Sequence, residues 1–489
     1  MVVRIITFIT SIVIVVAGYF IYASYLDRIF GSDGKIATPV SRLADGVDYV
    51  PLPEWKIFMI QLLNIAGLGP IFGALAGAMF GPVVFLWIVF GSLFIGGVHD
   101  YFSGMISLRH DGKSLTELIG LYLGSSWSKF TVVFITILMV LVGVVFVKGP
   151  AEIMAIMTGV DKSIWFYIIF AYYLVATLFP IDQIIGRIYP FFAVALIIMV
   201  VGLASYMFIN WVPIAELTFD SMRNMHVDAA NMPIFPVLFI TIACGAVSGF
   251  HATQSPLMAR CMLSETQGKR VFFGAMSAEA VIAIIWAAAG MCFFGDVASL
   301  NREMVAHGNN PVWLVNLICN TWLGKFGGAL AILGVVACPV TTGDTAFRGA
   351  RLILADALKY SQKPMKNRLI ICVPIFFVSY VLAFVDFGVI WRYFAWFNQS
   401  LSVMMLWTAS AYMIKNGKPH WFSTIPAILM TFICSVYILS AKNAFALKTE
   451  LAYLIGLLFT ALIVWSFFAM IKSSEKNSGP VPKISENMA

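Results

Sequence analysis

Charge is what this chain lacks. Asp, Glu, Lys and Arg make up 11% of its 489 residues, against roughly a quarter in soluble domains. Hydrophobic residues reach 61% and mean hydropathy is +0.91. That composition excludes a soluble globular enzyme and requires a multi-pass membrane protein. The net charge of +7 comes with no soluble fold to carry a basic stripe, so it is not a nucleic-acid signal. Paired cysteines are missing too. The seven cysteines (244, 261, 292, 319, 338, 372 and 434) include no Cys-x-x-Cys pair. Neither a disulfide framework nor a zinc site is indicated, and the cysteines read as packing residues. A G-x-x-x-x-G-K-[ST] loop is absent, so nothing suggests that this chain is driven by ATP. No cofactor and no resident metal are expected.

What is present is a series of long apolar runs. At about 20 apolar residues per span, they predict thirteen helices. These lie near 3–25, 57–80, 83–107, 129–148, 163–181, 189–210, 233–250, 271–294, 326–349, 369–388, 393–414, 421–440 and 449–472. The first run is longer than a signal-peptide core and no small-residue cleavage site follows it, so it reads as a retained span. Arg348, Arg351, Lys359, Lys363, Lys366 and Arg368 place their loop in the cytoplasm. Alternation then puts Arg109/Lys113, Arg260/Lys269/Arg270 and Lys415/Lys418 inside. It puts 211–232, with Glu216, Asp220 and Asp228, outside. The odd span number places the N-terminus outside, although Arg4 alone favours inside. Loops are expected at 26–56 and 295–325, and a disordered polar tail at 473–489.

Two of these runs are interrupted at matching places. One reads Gln61-Leu-Leu-Asn64-Ile-Ala66-Gly67-Leu68-Gly69-Pro70-Ile-Phe-Gly73, the other Cys244-Gly245-Ala-Val-Ser248-Gly249-Phe-His251-Ala-Thr-Gln254-Ser255-Pro256. In lipid, a helix breaks only where the freed backbone groups are buried in protein or line a watery cavity. Setting aside 1–56 (a leading helix and loop) and 415–472 (two trailing helices) leaves ten spans, 57–414. The two breaks open the first five (57–210) and the second five (233–414). Such a five-plus-five inverted repeat is the leucine-transporter-like arrangement, with substrate held at the breaks. A half-helix N-terminus there suits a carboxylate. The candidate substrate-binding residues are therefore Gly67, Gly69, Pro70, Gly245, Ser248, Gly249, His251, Gln254 and Ser255. The competing reading is that the glycines only allow close helix packing.

Ionisable groups inside spans are functional candidates by default. His99 and Asp100 sit in the run 83–107 and, being adjacent on a helix, are expected to need separate partners. His251 is a protonatable group at the second break. Thr341, Thr342 and Asp344, near the expected end of the span 326–349, offer oxygen ligands of the kind sodium accepts. The alternative there is a kinked helix whose Thr hydroxyls bond back to their own turn. Glu279 and Glu152 are further buried acids, for which pairing between helices is the simpler expectation.

The same residues carry a family resemblance. Asp45-Gly-Val-Asp48-Tyr-Val-Pro51, the Gly67-Leu-Gly-Pro70 break, Gly96-Gly-Val-His-Asp100, the stretch 243–261, Glu265, the stretches 272–280 and 337–351, and Arg392-Tyr-Phe-Ala-Trp-Phe-Asn398-Gln399 resemble the carbon starvation protein A family. The likeness runs from about Asp45 to Gln399. It implies an inner-membrane carrier related to the amino acid–polyamine–organocation superfamily, with members linked to peptide uptake in starvation and to proton-coupled pyruvate uptake. The chain departs from the pattern at Leu68, where a small residue is expected, and is short after residue 415.

The function expected is secondary uptake of a small carboxylate, pyruvate ahead of short peptides, with a proton favoured over sodium as the coupling ion. His99, Asp100, Thr341, Thr342 and Asp344 are the candidates for coupling. The expected location is a bacterial or archaeal cytoplasmic membrane. The expected partners are the carboxylate or peptide and the bilayer, with room for a small accessory membrane subunit. Two other classes are weaker: a Ser248–His251 intramembrane hydrolase, and a nutrient sensor, which would want a soluble output domain.

Overall fold

The computed structural model describes residues 5–477 apart from 47, 179–184 and 363. Among them every regular element is a helix. The main ones are α1 (Ile6–Phe30), α2 (Glu54–Ile65), α3 (Gly69–Ala78), α4 (Val83–Arg109), α5 (Ser125–Thr158), α6 (Lys162–Leu178), α7 (Ile185–Ile209) and α8 (234–241). They are followed by α9 (His251–Ala259), α10 (Glu265–Phe293), α11 (Val297–Ala306), α12 (Pro311–Ala331) and α13 (Ala337–Ala357). The last are α14 (Met365–Leu382), α15 (Phe387–Lys415), α16 (Trp421–Ser440) and α17 (Thr449–Asn477).

Among the described residues eight helices are long and apolar enough to cross a membrane, or up to ten if each sharply bent pair forms one span. With the shorter α6, the interrupted α8–α9 pair and the long α15, the described helices fill the thirteen expected spans. The periphery follows from exposure. Ile21 on α1 and Trp465 on α17 are 73% and 70% exposed, as lipid-facing side chains should be, whereas α4 and α10 are mostly buried. The leading and trailing helices therefore flank a tightly packed interior.

Side-chain bonds tie together the loops that the charge pattern assigns to one side. Arg42 pairs with Asp111 at 2.6 Å, Arg260 Nε donates to Gly112 O at 2.9 Å, and Arg109 pairs with Glu265 at 2.7 Å. On the other face Glu216 accepts from Ile6 N at 2.7 Å and from Thr7, Asn301 Oδ1 accepts from Val227 N at 3.0 Å, and Asn310 bonds Glu152 at 2.5 Å. The N-terminus thus lies on the face of 211–232, as the span count requires.

Three expectations need correction. The expected loop 295–325 is mostly helical. Asp296 caps α11, its carboxylate accepting the Ser299 N–H at 2.7 Å, and Pro311 opens α12 with the φ it is already fixed in. The motif from Ala337 to Arg348 does not end a span: it begins α13, which runs to Ala357. Apolar length alone misplaced it, because the chain bends by 62° between Leu330 and Leu333 and the helix that follows continues through the charged Asp344, Arg348 and Arg351. Of the expected disordered tail, 473–477 continue α17, and 478–489 lie outside the described residues.

Candidate functional site

Both breaks form where the sequence interrupts its apolar runs. α2 ends at Ile65 and α3 starts at Gly69, bent by 52°. α8 ends at Thr241 and α9 starts at His251, with Gly245 at φ +85°, a conformation glycine adopts without cost. The two breaks touch. A methyl group on Gly69 would overlap the Cys244 side chain, and one on Gly245 would come within 3.6 Å of Pro70 Cβ. At the second break Gly249 packs so closely on α15 that a Cβ would overlap Asn398 O and Ser402 N. The glycines therefore act as close-packing residues here, and their packing is what brings the breaks together.

Around that crossing lies a line of ionisable groups with no solvent exposure. Asp100 of α4 has one carboxylate oxygen 2.7 Å from His99 Nδ1 and the other 2.8 Å from His251 Nδ1. His251 Nε2 lies 3.5 Å from Glu279 Oε2 on α10, and Glu279 Oε1 accepts the Gly245 N–H at 3.1 Å. His99, Asp100, His251 and Glu279 are each 0% exposed. The expectation that His99 and Asp100 need separate partners fails in part. Their Cβ bonds diverge, but an imidazole Nδ1 is only two bonds from Cβ, so the ring swings over to its neighbour. Asp100 does find a second partner, His251, 151 residues along the chain.

The other expected site residues divide. Ser255 Oγ donates to His251 O at 3.0 Å and accepts from Ser103, which is bonded to Asp100 O. Gln254 lies one residue before it, its Oε1 buried without a partner. Ser248 turns to Asn398, 3.1 Å from Oδ1 and 2.9 Å from Nδ2. Asn398 Oδ1 also accepts the Phe250 N–H at 2.7 Å, and Asn398 O the Gly249 N–H at 3.1 Å. Amides at the start of α9 are thus occupied by protein groups, where an anion was expected. With Ser248 on Asn398 and His251 on Asp100, the hydrolase pairing is not formed.

The α13 group packs against the first break but is not joined to Asp100 or His251 by any bond among the described residues. The Cys338 thiol donates to Leu63 O at 3.2 Å and lies 3.6 Å from Ala66 O, taking up carbonyls that the end of α2 frees. Thr341 and Thr342 hydroxyls donate back to Cys338 O at 2.6 and 3.0 Å. A Cβ on Gly67 would sit 3.7 Å from Thr342 Oγ1. Asp344 pairs with Arg348 at 3.7 Å. This is the alternative in which the Thr hydroxyls bond back to their own turn. Glu279 and Asn398 are the residues that sequence reasoning undervalued. Their signal is a polar residue deep in an apolar run, and their partners lie 34 and about 150 residues away.

The crossing is closed. A polar cavity of about 730 Å³ lies instead on the face that carries 211–232, lined by Glu152, His226, Asp228, Asp386, Trp391 and Arg392 among others. Its wall includes Ala76 of α3 and Thr241 of α8, so it ends at the halves of both interrupted spans that lie nearest this face. Glu152 meets Asn310 there rather than a helix-borne base.

Comparison with known proteins bears on the family and the fold. The family model described as carbon starvation protein CstA matches residues 3–155 and 149–312. A Haemophilus influenzae protein named as an uncharacterized membrane protein is 40% identical over 349 residues, 61% of this chain and 94% of that one. A Campylobacter jejuni protein named peptide transporter CstA is 25% identical, covering 86% of this chain and 78% of its own. An Escherichia coli protein named pyruvate/proton symporter BtsT is 27% identical over 57% of this chain and 47% of its own, so the chain matches about half its length. Among solved structures, MhsT in complex with L-phenylalanine superposes with a TM-score of 0.58 at 11% identity, covering 84% of this chain and 99% of that one. A manganese transporter of Eremococcus coleocola superposes with a TM-score of 0.51 at 10% identity, over 89% and 98%. Likeness at that identity establishes the leucine-transporter-like fold and nothing about cargo.

Proposed function

This chain belongs to the carbon starvation protein CstA family, and from that premise we propose that it is a secondary active transporter taking up a small carboxylate with a proton. Pyruvate is the leading cargo, and the location is the cytoplasmic membrane of a bacterium or archaeon. The observation that carries the proposal is the buried line Asp100–His251–Glu279 at the second break. Ionisable groups at that depth are costly unless they pair, and mark ion pathways where they occur. A pyruvate anion brings one negative charge, and one proton carried on this line compensates it.

Protons are favoured over sodium by the state of the α13 group. Asp344, the one anion of that group, already faces the Arg348 guanidinium at 3.7 Å, so no uncompensated negative charge is left there to hold a sodium ion. The outer cavity gives cargo an approach as far as α3 and α8, and the closed crossing beyond it is the gate that a transport cycle must open. The relative named as a peptide transporter supports a second reading, uptake of di- or tripeptides through the same centre.

Uptake of labelled pyruvate into proteoliposomes holding the purified protein tests the proposal. An inward proton gradient should drive accumulation above the level reached with a sodium gradient or none, and a dipeptide should not compete. Dipeptide uptake without pyruvate flux would transfer the assignment to peptides. Binding of either without flux would make the protein a sensor.

A further inference from the structure

We propose that Cys244, His251 and Glu279 form a binding site for one divalent transition-metal ion of the zinc type. The Cys244 thiol sulfur, a His251 ring nitrogen and a Glu279 carboxylate oxygen lie within 4.8 Å of one another, and all three residues are buried. Bonds of about 2.0–2.3 Å to a tetrahedral ion place neighbouring ligand atoms roughly 3.3–3.8 Å apart. The His251 Nε2 to Glu279 Oε2 distance is already 3.5 Å, and small side-chain rotations bring the sulfur in.

Two further observations point to a ligand rather than to packing. His251 Nε2 and Glu279 Oε2 have no hydrogen-bond partner, although their residues are fully buried. Such atoms in a native interior call for a missing ion or water. The other faces of both ligands are anchored. Asp100 Oδ2 sits 2.8 Å from His251 Nδ1, and Glu279 Oε1 holds the Gly245 N–H. A carboxylate on the far nitrogen of an imidazole is the usual support of a metal-bound histidine, because it fixes the ring and raises its basicity.

The donor chemistry selects the ion. One sulfur, one nitrogen and one oxygen suit zinc and cobalt(II), and exclude magnesium and calcium, which take oxygen ligands. A thiolate and a carboxylate neutralise a dication, so the filled site is uncharged within the membrane. Three protein ligands leave one position open, and the Ser248 hydroxyl, 3.6 Å from Cys244 Sγ, borders it. Binding uses the lone pair of Nε2 and releases the ligands' protons. If Asp100 and His251 carry the coupling proton, as the proposed function has it, an ion here arrests the cycle.

The test begins with cobalt(II) alone, titrated into purified protein freed of metal by chelator. One ion should bind per chain, with a near-ultraviolet thiolate-to-cobalt band and the visible bands of a tetrahedral site. Cys244→Ser should remove the thiolate band. Cys292→Ser, a remote buried cysteine, should keep it. Glu279→Gln should keep the band but weaken binding at least tenfold. Thermal melting in detergent establishes that each variant is folded. No stoichiometric binding, or a band that survives in folded Cys244→Ser, would overturn the site. In proteoliposomes, zinc should inhibit uptake, at least tenfold less potently in Cys244→Ser. Uptake unaffected by bound zinc would overturn the arrest. If the wild type carries no pyruvate, the functional reading fails while the cobalt titration still decides the metal site.

Discussion

Asn398 shows how one side chain can hold a transport centre together. Its oxygen takes the Phe250 N–H, its carbonyl the Gly249 N–H, and its amide group meets Ser248. Replacing it by alanine strands a buried backbone donor, which costs roughly 1–3 kcal/mol. Asn398→Ala should therefore melt several degrees below wild type in detergent, and an unchanged melting temperature would show that the break does not depend on it. Gly69 acts by absence: Gly69→Ala drives a methyl into Cys244 and should reduce uptake more than tenfold while leaving the protein extractable as a monodisperse species. At this scale the sequence was legible for residues whose type is itself unusual in a span, such as Asp100 and His251. It was not legible for Asn398, because the atoms it serves are about 150 residues away.

Among elements, the two interrupted spans were readable because Gly and Pro announce a break locally. Their crossing at Gly69 and Cys244 is a packing contact between residues far apart in the chain, which no local signal carries. α11 and α12 were missed. Their signals, Asp296 three residues before Ser299 and Pro311 at a helix start, are short, and Asn301, Arg302, Asn316, Asn320 and Gly324 break up the apolar stretches that follow them. The register of α13 differs from that expected because the helix continues through Asp344, Arg348 and Arg351 after the apolar run ends. At the face with most basic loops, Arg109 links four segments. Its guanidinium bonds Glu265 at 2.7 and 3.0 Å, Gly31 O at 2.6 Å and the Tyr412 hydroxyl at 3.2 Å, while Glu265 also accepts the Asp33 N–H at 2.9 Å. A two-pronged Arg–carboxylate bond is directional as well as strong. Glu265 is 0% exposed, so Glu265→Ala leaves a partly buried guanidinium unpaired and should cost on the order of 3–5 kcal/mol. Arg109→Lys, which keeps the charge but not the fork, should recover only part of that. Equal melting temperatures for Glu265→Ala and wild type would rule the network out as a structural tie.

Taken whole, the molecule combines a closed ionisable centre with a cavity that stops short of it on one side. Composition and charge pattern made the membrane class, the span number and the grouping of loops on one face legible, because lipid imposes length and polarity rules along the entire chain. The resting closure of the centre and the outer position of the cavity depend on how ten spans pack, which no local pattern encodes. The central claim is that cargo and proton cross together through Asp100 and His251, and the direct measurement is lumenal pH. Pyruvate is added to proteoliposomes that hold the protein and an internal pH dye, with no gradient imposed and empty liposomes as the reference for passive leak. Wild-type vesicles should acidify as pyruvate enters, whereas Asp100→Asn should not acidify yet should still exchange labelled for unlabelled pyruvate. Pyruvate influx through the wild type without acidification, or acidification by Asp100→Asn at the wild-type rate, would contradict the account.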